Sequence, residues 1–213
     1  RVLEKIKNSI PVCYLADHAD FALGIVTGNN KKFLSAEKTE NSEMVLKGTD
    51  ICKYHINPVK QYLRFEPEQF QQVAPLEIYR APEKLLYRFI SNQLVVAYHD
   101  RQMLSLNSCN IVIPKIEGMQ IKYILAILNS SVSQFVYQKE FHSIKVLRAH
   151  MEHIPIPRVG KAIQNEIIAM TEPLICGMGK EAAETCQKRL DCRIMDLFRL
   201  SAEEQWIIRH ALH

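Results

Sequence analysis

Two short segments contain histidine, in one case with aspartate, and these side chains often bind metal ions together with cysteine. One is Asp17-His18-Ala19-Asp20, and the other contains His150 and His153. The six cysteines lie at positions 13, 52, 109, 176, 186 and 192, and no two of them are two or three residues apart. Because a closed zinc site needs four ligands at regular spacing, we predict no metal site.

Other catalytic patterns are also missing from the sequence. No serine lies in a nucleophile-elbow motif, and no Asp…Glu-x-Lys set that could hold Mg²⁺ in a nuclease occurs in a strand context. Gly24 and Gly28 form only a weak glycine pattern, and with seven glycines in the chain a phosphate-binding loop has little support. We therefore predict that this chain is not an enzyme by itself.

A mixture of cationic and aromatic side chains lies between Lys47 and Arg101, and such a mixture suits contacts with phosphates and base edges. It consists of Lys53, Tyr54, His55, Lys60, Tyr62, Arg64, Arg80, Lys84, Tyr87, Arg88 and Arg101. The alternative is a solvated face balanced by Glu66, Glu68, Glu77 and Glu83. The net charge is only +4, so binding to nucleic acid requires the positive charge to gather on one face.

Length and composition indicate one main domain with an appendage, because 213 residues with 47% apolar content can bury a sizeable core. The longest apolar run, near residues 121–128, is interrupted by Lys122 and is far shorter than the roughly 20 residues of a membrane helix. We expect no membrane span and no membrane partner. We interpret the cysteines as reduced, mostly buried side chains of a cytoplasmic protein.

Strand-like patterns dominate the first part of the chain. They occur around Phe21 to Ile25, at 44–46, at 76–79, at 94–98 and at 109–113. The first of them ends at Thr27-Gly28-Asn29-Asn30, where glycine and asparagine tolerate the positive φ of a turn.

Helical patterns dominate the rest. Apolar residues recur at steps of three and four from Ile121 to Val136, which predicts one helix there. After the extended segment 154–157, further helices are predicted, one of them ending before Pro173, and Ser201 with Glu204 forms a capping box for the last. The predicted fold class is α+β: a mixed, mostly antiparallel twisted sheet domain with packed helices over residues 1–157, followed by a helical tail over 158–213.

Three phrases occur in a fixed order: Ala22 to Phe33 (ALGIVTGNNKKF), Lys84 to Ile90 (KLLYRFI), and Leu128-Asn129-Ser130 leading to Ile154-Pro155-Ile156-Pro157. Together they resemble the TaqI-like C-terminal specificity domain of adenine-specific DNA methyltransferases and fused restriction-modification enzymes. The segment LFRLSAEE, residues 197–204, is similar to the closing helices of that family. The chain departs from many relatives in a shorter region between Val45 and Lys84, and its only tryptophan is Trp206.

The resemblance implies sequence-specific recognition of double-stranded DNA without chemistry in this chain. The parent protein is then an adenine-specific methyltransferase or restriction enzyme, with a methyltransferase domain in cis or as a separate subunit. No cofactor is expected here, and S-adenosylmethionine is expected in the missing domain. Asn57-Pro58-Val59-Lys60 lacks the second proline and the aromatic residue of the family's catalytic loop. The alternative is a protein-interaction module that docks on a methyltransferase or nuclease partner.

Candidate DNA-binding residues are named by charge and by turn placement. We predict that Lys31 and Lys32 contact phosphates, and that Arg64, Arg80 and Arg88 contact guanine in the major groove. Asn29 and Asn30 either pair with adenine edges or shape the turn. The remaining candidates are Lys53, Lys84 and Arg101.

Overall fold

The computed structural model describes residues 1–212 and contains an α+β fold, as predicted. In chain order the elements are α1 (Val2–Asn8), β1 (Val12–Cys13), β2 (Ala19–Ala22), α2 (Asn30–Phe33), β3 (Leu34–Ser35), β4 (Ser42–Leu46), β5 (Tyr62–Arg64), α3 (Leu76–Tyr79), β6 (Lys84–Arg88), β7 (Val96–His99), β8 (Leu104–Ser105), β9 (Cys109–Pro114), α4 (Ile121–Asn129), α5 (Ser131–Glu140), α6 (Arg148–Glu152), β10 (Ile156–Pro157), α7 (Lys161–Cys176), α8 (Lys180–Leu197) and α9 (Ala202–Ala211). Short 3₁₀ turns cover Gly48–Asp50 and Pro67–Gln69.

A four-stranded antiparallel sheet in the order β2-β9-β6-β7 separates two apolar cores. Successive side chains of a strand point to opposite faces. Leu85 and Tyr87 of β6 accordingly belong to one core and Leu86 to the other. Lys84 and Arg88 have the same parity as Leu86, so β6 directs both cations toward the second core.

A second, smaller sheet in the order β3-β5-β4-β8 packs on that core. Its strands are antiparallel except for β4 and β8, which run parallel, so the predicted mixed and mostly antiparallel character is confirmed. Val45 and Leu63 are fully buried beneath this sheet, while Arg64 is exposed opposite Ser42. The outer face of the small sheet carries Arg64 and Ser42 together with Tyr62 and the exposed Met44.

The helices cover the other face of the central sheet. The first core contains side chains of α4 and α5 together with Leu190, Ile194 and Ile208 of the C-terminal helices. β1 pairs with β10 in an antiparallel ribbon, which holds the N-terminal segment against residues 156–157. Within residues 1–212, no helix is long and apolar enough to cross a membrane.

The helix predicted from Ile121 to Val136 is instead two helices, α4 and α5, separated at Ser130. The Ser130 hydroxyl accepts a hydrogen bond from the backbone N–H of Ser133 at 3.2 Å. Serine is a strong N-cap residue, and this cap starts a new helix although the apolar period continues. The prediction of a single helix was wrong because periodicity does not register the cap.

Two smaller predictions were also wrong. Residues 76–79 form the short helix α3 rather than a strand, and the Tyr79 hydroxyl at its end donates to the carbonyl of Leu23 at 3.0 Å. Helix α7 continues through Pro173 to Cys176 and ends at Gly177, whose φ is +79°. Pro173 lacks the N–H that would donate to the carbonyl of Ala169, so it removes one backbone hydrogen bond but does not end the helix.

The cysteines are free thiols, but the expectation that they are mostly buried was wrong. Cys13 and Cys109 are buried, whereas Cys176 and Cys192 are exposed on the tail helices. By contrast, the predicted capping box is confirmed. The Ser201 hydroxyl accepts from the N–H of Glu204, and the Glu204 carboxylate accepts from the N–H of Ser201 at 2.7 Å.

Candidate functional site

The turn at Thr27-Gly28-Asn29-Asn30 is held by its own polar side chains. Gly28 has φ +74°, a left-handed conformation that glycine adopts without strain. The Thr27 hydroxyl donates to Oδ1 of Asn30 at 2.6 Å, and Oδ1 of Asn29 accepts from the N–H of Lys32 at 3.2 Å. Both asparagine oxygens are therefore engaged within the turn, and Asn29 caps α2.

Lys31 and Lys32 follow this turn on α2 and are exposed. Nζ of Lys32 lies 4.8 Å from the centroid of the Phe33 ring and also donates to Oε1 of Gln69. Within residues 1–212, no carboxylate forms an ion pair with Lys31 or Lys32. Their positive charge is thus available to an anionic ligand.

Arg64 joins the same surface through a chain of polar contacts, which we call the polar network. It runs from Lys32 to Gln69, from Gln69 Nε2 to Glu66 Oε2 at 2.6 Å, and from Glu66 Oε1 to Arg64 Nε at 2.7 Å. Three aromatic rings support it: Phe70 packs edge-on against Phe33 and Phe65, with centroid separations of 5.1 and 5.8 Å. The polar network therefore rests on a rigid apolar base.

Arg80 and Arg101 lie at a second place, around the turn 100–102. Arg80 pairs with Glu43 at 2.6 Å and donates to the carbonyl of Gln102 at 2.7 Å. Arg101 is exposed and lines a cleft of about 650 Å³ that also contains His55, Tyr98 and Lys122. The guanidinium of Arg80 is thus already held by protein groups, whereas Arg101 faces solvent.

The other three candidate cations serve contacts inside the protein. Lys84 is fully buried and donates to the carbonyl of Tyr79. Arg88 is half-buried and donates to the carbonyls of Gly48, at 3.0 Å, and Ile51. Lys53 is half-buried and donates to the carbonyl of Asn129 at 3.3 Å. In this structure Lys84 cannot reach a duplex, and the contacts of Arg88 and Lys53 join layers of the fold.

Burial changes the acid–base properties of two groups under the small sheet. Burial lowers the pKa of Lys84 to about 8. Burial, followed by the nearby Lys84 charge, lowers the pKa of His99 to about 4. Neutral His99 accepts a hydrogen bond from the N–H of Met103 through Nε2 at 3.2 Å. Both groups are structural, and neither faces the surface around the Gly28 turn.

Residues 1–212 contain no group of three or more His, Cys, Asp or Glu side chains that could hold a metal ion. His150 and His153, considered above as ligands, bond to their own helix: Nδ1 of His150 accepts from Leu147 N–H at 3.2 Å. Nδ1 of His153 lies 2.6 Å from the carbonyl oxygen of Ala149. The groups that the surface around the Gly28 turn offers to a ligand are cationic side chains and amides.

Sequence reasoning missed the glutamines of residues 69–72. Backbone hydrogen bonds between Val26 and Gln72, at 2.9 and 3.0 Å, bring this segment beside the Gly28 turn. The glutamines were visible in the sequence, but no local pattern indicates which distant turn they adjoin.

The comparisons with known proteins agree with a recognition role. The model of the TaqI-like C-terminal specificity domain family matches residues 43–156, more than half of the chain. This defines the class of protein: a specificity domain. The chain belongs to the TaqI-like C-terminal specificity domain family. No curated protein matches the chain.

Solved structures share the fold. A chain from the Type IIL restriction-modification enzyme MmeI in complex with DNA is similar with a TM-score of 0.61 and 11% identity, over 97% of this chain and 37% of that one. A chain from a type I R-M system gives a TM-score of 0.51 and 13% identity, over 100% of this chain and 50% of that one. The chain therefore spans half or less of the length of these two.

Proposed function

We propose that this chain reads a specific DNA sequence for an adenine-specific DNA methyltransferase or a fused restriction-modification enzyme. The observation that carries the proposal is the match of residues 43–156 to a specificity-domain family. Lys31 and Lys32 are exposed beside the Gly28 turn and form no ion pair within residues 1–212, so they can anchor the DNA backbone. The chain contributes recognition, and the reaction belongs to a partner.

The proposed mechanism assigns different tasks to the candidate cations. Lys31 and Lys32 contact phosphates and fix the register of the protein on the duplex. Within residues 1–212, the two Nη atoms of Arg64 form no hydrogen bond, because only its Nε contacts Glu66. It can therefore offer two donors to guanine while Glu66 holds its orientation. Arg80 has to release Glu43 before it can do the same, so Arg64 is the better base reader.

The proposed partner is a methyltransferase domain, in cis or as a separate subunit, which binds S-adenosylmethionine and flips out the adenine. In this arrangement residues 1–157 face the DNA and the helical tail, 158–213, is the appendage. The MmeI enzyme, studied in complex with DNA, has a chain of similar fold, and this supports double-stranded DNA as the ligand.

A second candidate function is protein docking on the tail. A groove of about 790 Å³ between α7 and α8 is lined by apolar side chains such as Met170, Pro173, Met178 and Ala182. A Met178→Glu substitution separates the two functions. It should abolish docking of a methyltransferase partner there and leave DNA affinity unchanged.

The test of the proposed function is selection of duplexes from a random-sequence library by the purified chain. We expect a defined motif to be enriched, and enrichment of no motif would overturn the proposal. A methyl-transfer assay with labelled donor and mixed-sequence duplex should give no turnover with this chain alone. Turnover would contradict the assignment of the chemistry to a partner.

A further inference from the structure

The side chain of Gln71 lies directly beside the Gly28 turn. It is exposed, and within residues 1–212 its amide forms no hydrogen bond. An ideal Cβ built on Gly28 would lie 3.4 Å from Cβ of Gln71 and 3.8 Å from its Oε1. The Gln71 side chain therefore lies against the turn that also carries Lys31 and Lys32.

The backbone around Gln71 is fixed from both sides. Val26 and Gln72 exchange backbone hydrogen bonds at 2.9 and 3.0 Å, and the preceding residue, Phe70, packs against Phe33. A side chain on such a support loses little freedom when it binds, which favours specific contacts.

Three neighbouring amides are already engaged in part or in full, and the exposed Gln72, which adjoins the turn through its backbone, is the other glutamine there. Gln69 is held between Lys32 and Glu66, and the oxygens of Asn29 and Asn30 accept hydrogen bonds within the turn. Gln71, in contrast, offers a donor and an acceptor side by side. This is the pair that matches N6 and N7 of adenine in the major groove.

We propose that Gln71 is a specificity-determining residue that reads an adenine edge while Lys31 and Lys32 hold the adjacent phosphates. This inference rests on the proposed function and extends it to a residue outside the cationic candidates. Gly28 contributes by its lack of a side chain, because the base edge can then approach the Gln71 amide over the turn.

The test is selection from a random-sequence duplex library with the full chain and the variants Gln71→Ala, Gln71→Glu and Gln93→Ala. Gln93 is also exposed, but it lies between β6 and β7, so its variant is the matched control. We expect Gln71→Ala to reduce the preference for one adenine by roughly 5- to 150-fold and to leave the other positions of the motif unchanged. Gln71→Glu should move that preference toward cytosine, whose N4 amino group a carboxylate accepts.

The outcomes separate the inference from the proposed function. If the wild-type chain enriches a motif and Gln71→Ala keeps the same motif, the assignment of Gln71 is overturned while the proposed function stands. A uniform loss of affinity with an unchanged motif would also overturn it. If the wild-type chain enriches no motif, both fail. Thermal midpoints equal to that of the wild type are expected for the Gln71 variants, because the side chain is exposed.

Discussion

Val26 and Gln72 exchange two backbone hydrogen bonds, with N···O distances of 2.9 and 3.0 Å, and this bridge joins two distant segments of the chain. One segment carries the Gly28 turn with Lys31 and Lys32, and the other carries Gln69 and Gln71. The bridge therefore assembles a single surface of cations and amides from parts that have no local connection.

Replacing Lys31 and Lys32 together by alanine should weaken binding to all duplexes by a similar factor. Phosphate contacts release counterions, so the slope of log affinity against log salt should become shallower by roughly 2. Titrations of labelled duplex over a range of salt concentrations measure both quantities. The double variant Lys180→Ala/Lys188→Ala, on exposed positions of α8, is the matched control and should keep the wild-type slope. An unchanged slope in the Lys31/Lys32 variant would remove these lysines from the interface.

Replacing Arg88 by alanine should destabilise the fold, because its guanidinium donates to the carbonyls of Gly48 and Ile51. Because these are charge-assisted hydrogen bonds to carbonyls of buried residues, we expect a loss of about 2–3 kcal/mol in the free energy of unfolding. Denaturant titration measures it, and Arg64→Ala on the exposed face is the comparison. A stable Arg88→Ala variant with altered base preference would favour the original prediction of a guanine contact.

Lowering the pH should destabilise the protein through His99. Its folded-state pKa, about 4, lies below the ordinary value of 6.5, so between these pH values the folded chain binds fewer protons than the unfolded chain. The contribution of His99 to the free energy of unfolding is therefore complete above pH 6.5. It is lost as the pH falls through 4, by about 3 kcal/mol in total. Unfolding free energies of wild type and His99→Gln across this range test the assignment. Parallel pH profiles would contradict it.

Replacing Gly24 by alanine should disrupt the packing between the segment 23–26 and β8. An added Cβ would lie 2.0 Å from the carbonyl oxygen of Leu106, a backbone atom that cannot move aside. We expect a loss of at least about 3 kcal/mol in the free energy of unfolding. Gly160→Ala, where no atom lies within 4 Å of the added Cβ, is the control and should cost about 1 kcal/mol or less. Equal stability of the two variants would mean that Leu106 does not approach Gly24 this closely.

Local signals predicted the parts of the fold that local interactions determine. Ser201 with Glu204 and the glycine of the Thr27–Asn30 turn behave as their residue types require. The helix break at Ser130 escaped prediction because apolar residues keep their period across it. From the sequence, Lys84 and Arg88 are expected to be surface cations. The sequence gives their charge, but it does not show that a second sheet covers one face of β6. The position of Gln71 depends on a bridge between distant segments, which no local pattern encodes.

The central claim is that this chain distinguishes DNA sequences. The most direct measurement is the ratio of its affinities for the duplex enriched by selection and for a duplex of the same composition in scrambled order, at physiological ionic strength. We predict a ratio of at least about 10³, the lower end for specific recognition. Equal affinities for the two duplexes would contradict the claim.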